Sequence, residues 1–165
     1  MKSFLGRVFL LLFLCIIWVL LTYPIDTQEV LAGGVVALLL AVLPLGSIPV
    51  FSEIRWNPKS LVYAVIYLFI FFFELIKSNI DVAFRVLHPT LPISPGIVKV
   101  RTRLQSRMGR MALANSITLT PGTITVETKG EYFYIHWIDV RARNIEETTE
   151  NIVSKFEKYL EVIFG

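Results

Sequence analysis

The chain has 165 residues, 55% of them hydrophobic, and a mean hydropathy of +0.64. Such hydropathy, together with long uncharged runs, excludes an ordinary soluble domain and is typical of a membrane protein. The formal charge of +3 is the modest excess expected of cytoplasmic loops and lipid contact, and the single cysteine, Cys15, excludes a disulfide within the chain.

The first half of the chain predicts about three transmembrane helices. No charged residue occurs between Val8 and Ile25 or between Val30 and Ser52, so we place the first two spans at about 4–25 and 29–48. The connection between them is so short that they should form an antiparallel hairpin, with a shallow re-entrant pair as the alternative. A cleaved signal peptide is the competing interpretation of the first run, although no small-residue cleavage site follows it.

A third helix is predicted over 58–87, and its character changes along its length. Asn57 is a good N-cap and Pro58 suits the first helical position. The sequence is then continuously apolar from Leu61 to Phe73. Four charged residues of alternating sign follow, at spacings that place them on one stripe of the helix: Glu74, Lys77, Asp81 and Arg85. The helix should leave the membrane near Lys77 and continue beyond it.

Two interpretations of this charged stripe remain open. In the first, the charges pair with one another on a solvated or headgroup-level face and have no further role. In the second, Glu74, with Lys77 and Asp81 beside it, faces the ion path of a neighbouring subunit, because charge at membrane depth is costly and usually functional.

The second half of the chain, 91–165, predicts a small α+β domain that follows the membrane helices of 1–90. A linker of turn-forming residues leads into an amphipathic strand that begins near Ile97. Ser106 can cap a helix that runs to about Ile117, and two strands and a final helix complete the domain: Thr123–Thr128, Tyr132–Ile138 and a helix from Asn144. The order β-α-β-β-α is most of a ferredoxin-like layout.

The most unusual segment of the chain is Leu113–Thr123, where hydroxyls and one amide alternate with apolar residues. Pro121 and Gly122 fit the two central positions of a type II turn. No base or carboxylate pair stands beside these hydroxyls, so we expect them to bond to nearby backbone in a packed segment. His88 and His136 have no second ligand at metal spacing, and no phosphate-binding loop is present. The sequence therefore predicts no catalytic residue, no metal site and no cofactor.

The run Leu-Ala-Asn-Ser-Ile-Thr-Leu-Thr-Pro-Gly-Thr at 113–123 resembles the fingerprint of the E-type subunits of the multisubunit Na⁺/H⁺ antiporters, the Mrp or Mnh type. The sequence Glu-Leu-Ile-Lys-Ser-Asn at 74–79 and the sequence Pro-Gly-Ile-Val at 95–98 also resemble that family. The resemblance covers nearly the whole chain. It implies an accessory, non-catalytic subunit without a cofactor, in a complex whose larger subunits exchange Na⁺ for H⁺. Homologues of this type also occur in archaeal membrane-bound hydrogenase or sulfur-reducing complexes.

The partners implied by this resemblance are the other membrane subunits of an antiporter module and the lipid bilayer. A hydrogenase-type redox arm joins them where the module is built into a respiratory complex, and no nucleic acid is expected. We predict that one segment forms a subunit interface: Asn115, Ser116, Thr118, Thr120, Pro121 and Gly122. The chain should be a multi-pass protein of the cell membrane with a cytoplasmic C-terminal domain.

Three complete spans would then place Lys2, Arg7, Arg55 and Lys59 outside, which strains the preference of basic residues for the cytoplasmic side. Two other functions remain as alternatives. One is a membrane-tethered α+β binding or sensor module. The other is a small membrane enzyme of lipid metabolism, for which the required carboxylate or histidine cluster is not evident.

Overall fold

The computed structural model describes residues 2–22, 26–42 and 53–165. The chain divides into two compact units, Met1–Glu53 and Ile54–Gly165. The predicted boundary at residue 90, between membrane helices and the α+β domain, stays a prediction. In the structure the third helix packs against the α+β domain and belongs to the same unit.

The first unit contains two apolar helices that pack against each other, α1 (Lys2–Leu21) and α2 (Thr27–Val42). Trp18 joins them, because its indole Nε1 donates to the backbone oxygen of Glu29 at 2.8 Å. A Cβ at Gly33 would collide with the Trp18 ring, so glycine permits this close approach. The predicted ends of the first two spans, at 25 and 48, lie outside the described residues.

The second unit begins with α3 (Pro58–Leu87), whose bounds match the prediction. Asn57 is its N-cap, and the side-chain oxygen accepts from the Ser60 amide at 2.7 Å. Of the residues that the structure describes, α3 is the one helix long and apolar enough to cross a membrane by length and composition. Two shorter apolar stretches, Leu11–Leu21 and Thr27–Leu40, lie within α1 and α2.

The α+β domain follows α3 and contains a three-stranded antiparallel sheet in the order β1-β3-β2. The element order strand, helix, strand, strand, helix follows the prediction, except that a π-helical turn (Glu150–Ser154) interrupts the last helix. The strands and helices of this domain are β1 (Gly96–Arg101), α4 (Arg107–Leu119), β2 (Thr123–Lys129), β3 (Tyr132–Trp137), α5 (Ile145–Thr149) and α6 (Lys155–Phe164).

The core of this unit lies between one face of the sheet and the helices. Phe133 and Ile135 of β3 are fully buried, as is Val100 opposite them on β1. Tyr67 and Phe71 of α3 pack against the same core. Helix α3 therefore packs as one wall of the domain.

Candidate functional site

One cleft of about 260 Å³ brings together residues of both predicted sets: Glu74, Lys77 and Asp81 from the charged stripe, and Thr120, Pro121 and Gly122 from the predicted interface. One wall is the C-terminal half of α3, and the other is formed by the α4–β2 turn, the end of β3 and the last helical segments. We call this site the charged cleft and define it by these lining residues: Glu74, Lys77, Asp81, Arg85, Thr120, Pro121, Gly122, Asp139, Arg141 and Lys155.

The Glu74 carboxylate is paired mainly across the cleft and not along its own helix. Lys155 Nζ lies 2.8 Å from its Oε2, whereas Lys77 Nζ lies 3.9 Å from its Oε1. The side chain of Glu74 is only 15% exposed. Of the two ion pairs of Glu74, the one with Lys77 on the same helix, which the sequence predicted, is therefore the longer and weaker.

At the opposite end of the cleft, the Arg85 side chain bonds to three different residues. Its guanidinium donates to Asp81 Oδ2 at 2.7 Å, to Asp139 Oδ2 at 2.8 Å and to the Pro92 backbone oxygen at 2.7 Å. Arg141 also binds Asp139, with an Nε–Oδ2 distance of 2.6 Å. The hydrogen bond from Arg141, aided by the one from Arg85, holds the pKa of Asp139 below its usual range although burial opposes the shift.

The sequence placed Arg85 on the stripe but gave no sign that Asp139 and Lys155 would complete it. Each of these partners lies on an element far away along the chain, and no periodic pattern encodes such a pairing. Over residues that the structure describes, no group of three histidine, cysteine or carboxylate side chains could hold a metal ion. The ion pairs of the cleft connect α3 to the rest of the domain.

The segment Leu113–Thr123, which we call the hydroxyl-rich run, closes the end of α4. Its last residues, from Thr120 to Thr123, line the other wall of the cleft. Ser116 Oγ donates to the Ala112 backbone oxygen at 2.7 Å and also pairs with the Tyr67 hydroxyl on α3. Thr120 Oγ1 donates to the Ser116 backbone oxygen, and Thr123 Oγ1 donates to that of Ile117 at 2.6 Å. The expectation that these hydroxyls bond to nearby backbone is confirmed.

The predicted turn after α4 is also present. The Thr123 amide donates to the Thr120 backbone oxygen at 3.3 Å, and Gly122 has a φ of +91°. That combination is a type II turn, which requires a residue such as glycine at its third position. The turn lets the chain reverse from α4 into β2 beside Arg85 and Asp139.

The structure divides the predicted interface into an inner and an outer part. Ser116 and Thr120 are buried, and Pro121 and Gly122 are half-buried against the cleft. Asn115 and Thr118 are exposed on the outer side of α4. The buried hydroxyls of Ser116 and Thr120 thus form hydrogen bonds within the chain. Within this set, Asn115 and Thr118 are the residues exposed enough to contact a partner.

A second surface that the sequence did not single out is the open face of the sheet. Ile97 of β1 is 66% exposed and Ile124 of β2 is 54% exposed, and His136 of β3 stands between them in the register. Lys99 Nζ lies 3.7 Å from the centre of the Tyr132 ring on the same face. The alternation at Ile124 and Val126 could have revealed this surface, because β2 places its apolar residues outward while Thr125 pairs with Ile135 on the core face.

Comparison with known proteins finds similarity to Na⁺/H⁺ antiporter subunits. A family model described as Na⁺/H⁺ ion antiporter subunit matches residues 11–163. The chain is 43% identical over 100 residues to the E-type Na⁺/H⁺ antiporter subunit of Alkalihalophilus pseudofirmus, an alignment that covers 59% of this chain and 62% of that protein. It is 36% identical over 151 residues to the E1-type Na⁺/H⁺ antiporter subunit of Staphylococcus saprophyticus, with 89% of each chain covered.

A solved structure extends the similarity to the fold. A chain of the membrane-bound sulfane sulfur reductase, an archaeal respiratory membrane complex, matches with a TM-score of 0.76 and 41% identity. The match covers 96% of this chain and 99% of that one.

Proposed function

Because the chain belongs to the family of E-type Na⁺/H⁺ antiporter subunits, we propose that it is an accessory, non-catalytic membrane subunit of a multisubunit Na⁺/H⁺ antiporter module. It supports assembly and ion transport, while other subunits carry out the exchange of Na⁺ for H⁺. The module is either freestanding or part of a respiratory membrane complex, since the similar proteins include Na⁺/H⁺ antiporter subunits and a chain of an archaeal respiratory membrane complex.

Charge pairing within the charged cleft supports the non-catalytic role. Each of its acidic side chains is held by a basic side chain of the same chain: Glu74 by Lys155, Asp81 by Arg85, and Asp139 by Arg85 and Arg141. A carboxylate held by a nearby basic side chain is less available as a ligand for a passing cation. We therefore assign the cleft a structural role, in which it fixes α3 to the α+β domain.

Exposed apolar side chains support a role within a hetero-oligomer. Ile97, Ile124 and Val126 of the open sheet face are more than half exposed, and so are Met111 and Leu119 of α4. Apolar surface of this kind marks contact sites on proteins. We propose that other antiporter-module subunits cover this surface and the outer part of the hydroxyl-rich run, Asn115 and Thr118.

We further propose that the α+β domain is cytoplasmic and ferredoxin-like. The antiparallel order β1-β3-β2 is that of a ferredoxin-like sheet without its last strand. Five basic residues and no acidic residue occur between Ile97 and Arg110, which suits the side of a membrane that carries anionic lipid.

The test is purification of the tagged chain from native membranes in a mild detergent, followed by mass spectrometry of the proteins that accompany it. Antiporter subunits alone are expected for a freestanding exchanger, and antiporter subunits with a metal-containing redox arm are expected for a respiratory complex. Deletion of the chain should lower the amount of assembled complex and the Na⁺ tolerance of the cell. A lone 18.8 kDa protein, or a complex that assembles and transports normally without the chain, would contradict the proposal and favour a tethered binding module.

A further inference from the structure

Helix α3 is held against the α+β domain along almost its whole length. At its start, Ser60 Oγ donates to the Val162 backbone oxygen at 2.8 Å. Near its middle Glu74 pairs with Lys155, and near its end Arg85 pairs with Asp139. Ser60 and Arg85 are separated by about 38 Å along a helix that rises 1.5 Å per residue. A continuous face of α3 is therefore occupied by the domain.

The opposite half of α3 is uncovered and, apart from the exposed Asn79, apolar. No charged residue of the helix lies on this half, because Lys59, Lys77 and the other charged residues fall on the domain side or its flank. Large side chains mark the exposed face from one end to the other, including Leu61 at 66%, Phe69 at 71%, Phe84 at 71% and Leu87 at 81% exposed. From Glu74 onward the helix is amphipathic, whereas from Leu61 to Phe73 it is apolar on both sides and packs Tyr67 and Phe71 against the core of the domain.

A helix so covered is poorly suited to cross a bilayer. The hydrocarbon core is about 30 Å thick, so a crossing α3 would carry the domain surface beside it to the same depth. Helix α6 packs beside the apolar segment Leu61–Phe73, with Tyr159 against Tyr63, so a crossing by that segment would take the exposed Lys158 into the hydrocarbon. The Glu74–Lys155 pair and the 67%-exposed side chain of Lys77 would follow at its edge. Charges at that depth are costly. A helix that lies along the surface keeps all of them on its polar side.

We propose that α3 lies in the plane of the cytoplasmic membrane surface, with its apolar face among the acyl chains and the α+β domain above it. The membrane is then crossed by α1 and α2 alone. Trp56, which is 46% exposed just before the helix, and Lys59 on its flank are the residue types that anchor at headgroup level. This arrangement deepens the proposed function by specifying how the subunit meets the bilayer.

Two observations favour lipid over a partner helix as the occupant of this face. Helix contacts within membranes use small residues that allow close approach, whereas the exposed face of α3 carries mainly Phe, Leu, Ile and Val. The arrangement also places the basic residues in the first turns of α1, Lys2 and Arg7, on the same side of the bilayer as Arg55 and Lys59. The charge conflict of a three-span topology disappears.

The sidedness of the two ends of α3 tests the topology. In a Cys15→Ala chain within its native complex, Lys59→Cys and Thr90→Cys bracket the helix, and Asp26→Cys reports the α1–α2 connection. A membrane-impermeant maleimide should label Lys59→Cys and Thr90→Cys only in inside-out vesicles, and Asp26→Cys only in right-side-out vesicles. Labelling of the first two from opposite sides, or of both from outside, would overturn the proposal. Failure of the antiporter assignment would not affect this result, so the two proposals are tested separately.

Spin labels on the exposed face test the lipid contact and do not depend on thiol access at the helix ends. Nitroxides at Val65, Phe72 and Leu87, in the purified assembly reconstituted in phosphatidylethanolamine–phosphatidylglycerol vesicles, should be relaxed by oxygen and should all report a similar, shallow depth. A depth that is greatest at Phe72 and smaller at the other two positions would show a crossing helix and overturn the proposal. Protection of all three from oxygen and from a water-soluble nickel chelate would also overturn it, by showing that a partner protein covers this face.

Discussion

Arg85, near the end of α3, donates a hydrogen bond of 2.8 Å to Asp139, which lies 54 residues later in the sequence, just beyond β3. The Arg85 side chain is only 9% exposed and also reaches Asp81 and the Pro92 backbone oxygen. Its loss leaves Asp139 with Arg141 alone and removes the tie between the helix and the domain.

Replacement of Arg85 by leucine should therefore destabilise the second unit by about 1–3 kcal/mol, because several hydrogen bonds to a largely buried charge are lost. Thermal unfolding of the full chain in detergent measures this effect. Arg101→Leu is the matched control, since the Arg101–Glu131 pair is more than half exposed on both sides and should contribute little. An equal loss of stability in the two variants would show that the buried contacts of Arg85 contribute no more than an exposed ion pair.

Acid should weaken the same tie through Asp139. The pKa of this carboxyl is lowered in the folded chain, first by Arg141 and then by Arg85. A group with a lowered folded pKa stabilises the fold above its unfolded pKa, about 3.9 for aspartate, and that contribution is lost as the pH falls through the folded value. The unfolding free energy should thus fall below about pH 4. Asp139→Asn should be less stable at neutral pH and should show a shallower acid decline, and parallel pH profiles would contradict this.

The turn that forms the wall of the cleft should be sensitive to a single methyl group. Gly122 has a φ of +91°, and a Cβ there would lie 3.0 Å from Ile138 Cγ2. Gly122→Ala should cost about 2 kcal/mol or more, since backbone strain and crowding add.

Gly130→Ala is the matched control for this substitution, because Gly130 has a φ of +56° and open space around its Cα. It should cost about 1 kcal/mol. Denaturant unfolding measures the free energy of unfolding of both variants. A larger loss for Gly130→Ala than for Gly122→Ala would contradict the role assigned to the turn.

Local patterns in the sequence predicted much of the fold. The strand Tyr132–Ile138 followed from its alternation, because the pleat decides which side chains share a face, as Phe133 and Ile135 do in the core. The bounds of α3 followed from a cap and a breaker at its ends. The π-helical turn at Glu150–Ser154 left no trace in the pattern, since the spacing of Ile152 and Phe156 fits an uninterrupted helix.

Pairing between distant elements could not be predicted in the same way. Glu74 and Lys155 are 81 residues apart, and nothing in either local sequence identifies the other as its partner. The stripe on α3 was visible, but its function as a docking face depended on where α6 and β3 would lie. The grouping of α3 with the α+β domain could not be predicted for the same reason, because it depends on contacts with elements that follow much later in the sequence.

The outer part of the hydroxyl-rich run should matter for assembly and not for folding. Asn115 is exposed on α4, so Asn115→Leu should lower the yield of purified complex several-fold while the unfolding free energy changes by less than about 0.5 kcal/mol. Gln105→Leu replaces another exposed amide side chain, just before α4, and should leave the yield unchanged. Equal yields for the two variants would remove Asn115 from the interface.

A charge exchange can separate the structural role of Glu74 from a role in ion transport. If the Glu74–Lys155 pair only joins α3 to the domain, Glu74→Gln should destabilise the chain by about 1 kcal/mol, since the pair is only partly buried. Antiport by the assembled complex should change little. The single variant Glu74→Lys, which places two like charges in contact, should be the least stable.

The exchanged chain, Glu74→Lys with Lys155→Glu, should recover most of the stability and of the complex yield, because it restores an ion pair across the same gap. An ion path responds differently, because it requires the carboxylate on α3 itself. Unfolding free energy and Na⁺-dependent proton transport measured on the same variants decide between the two roles. Restored stability without restored transport would assign Glu74 to the ion path and overturn its assignment as a purely structural residue.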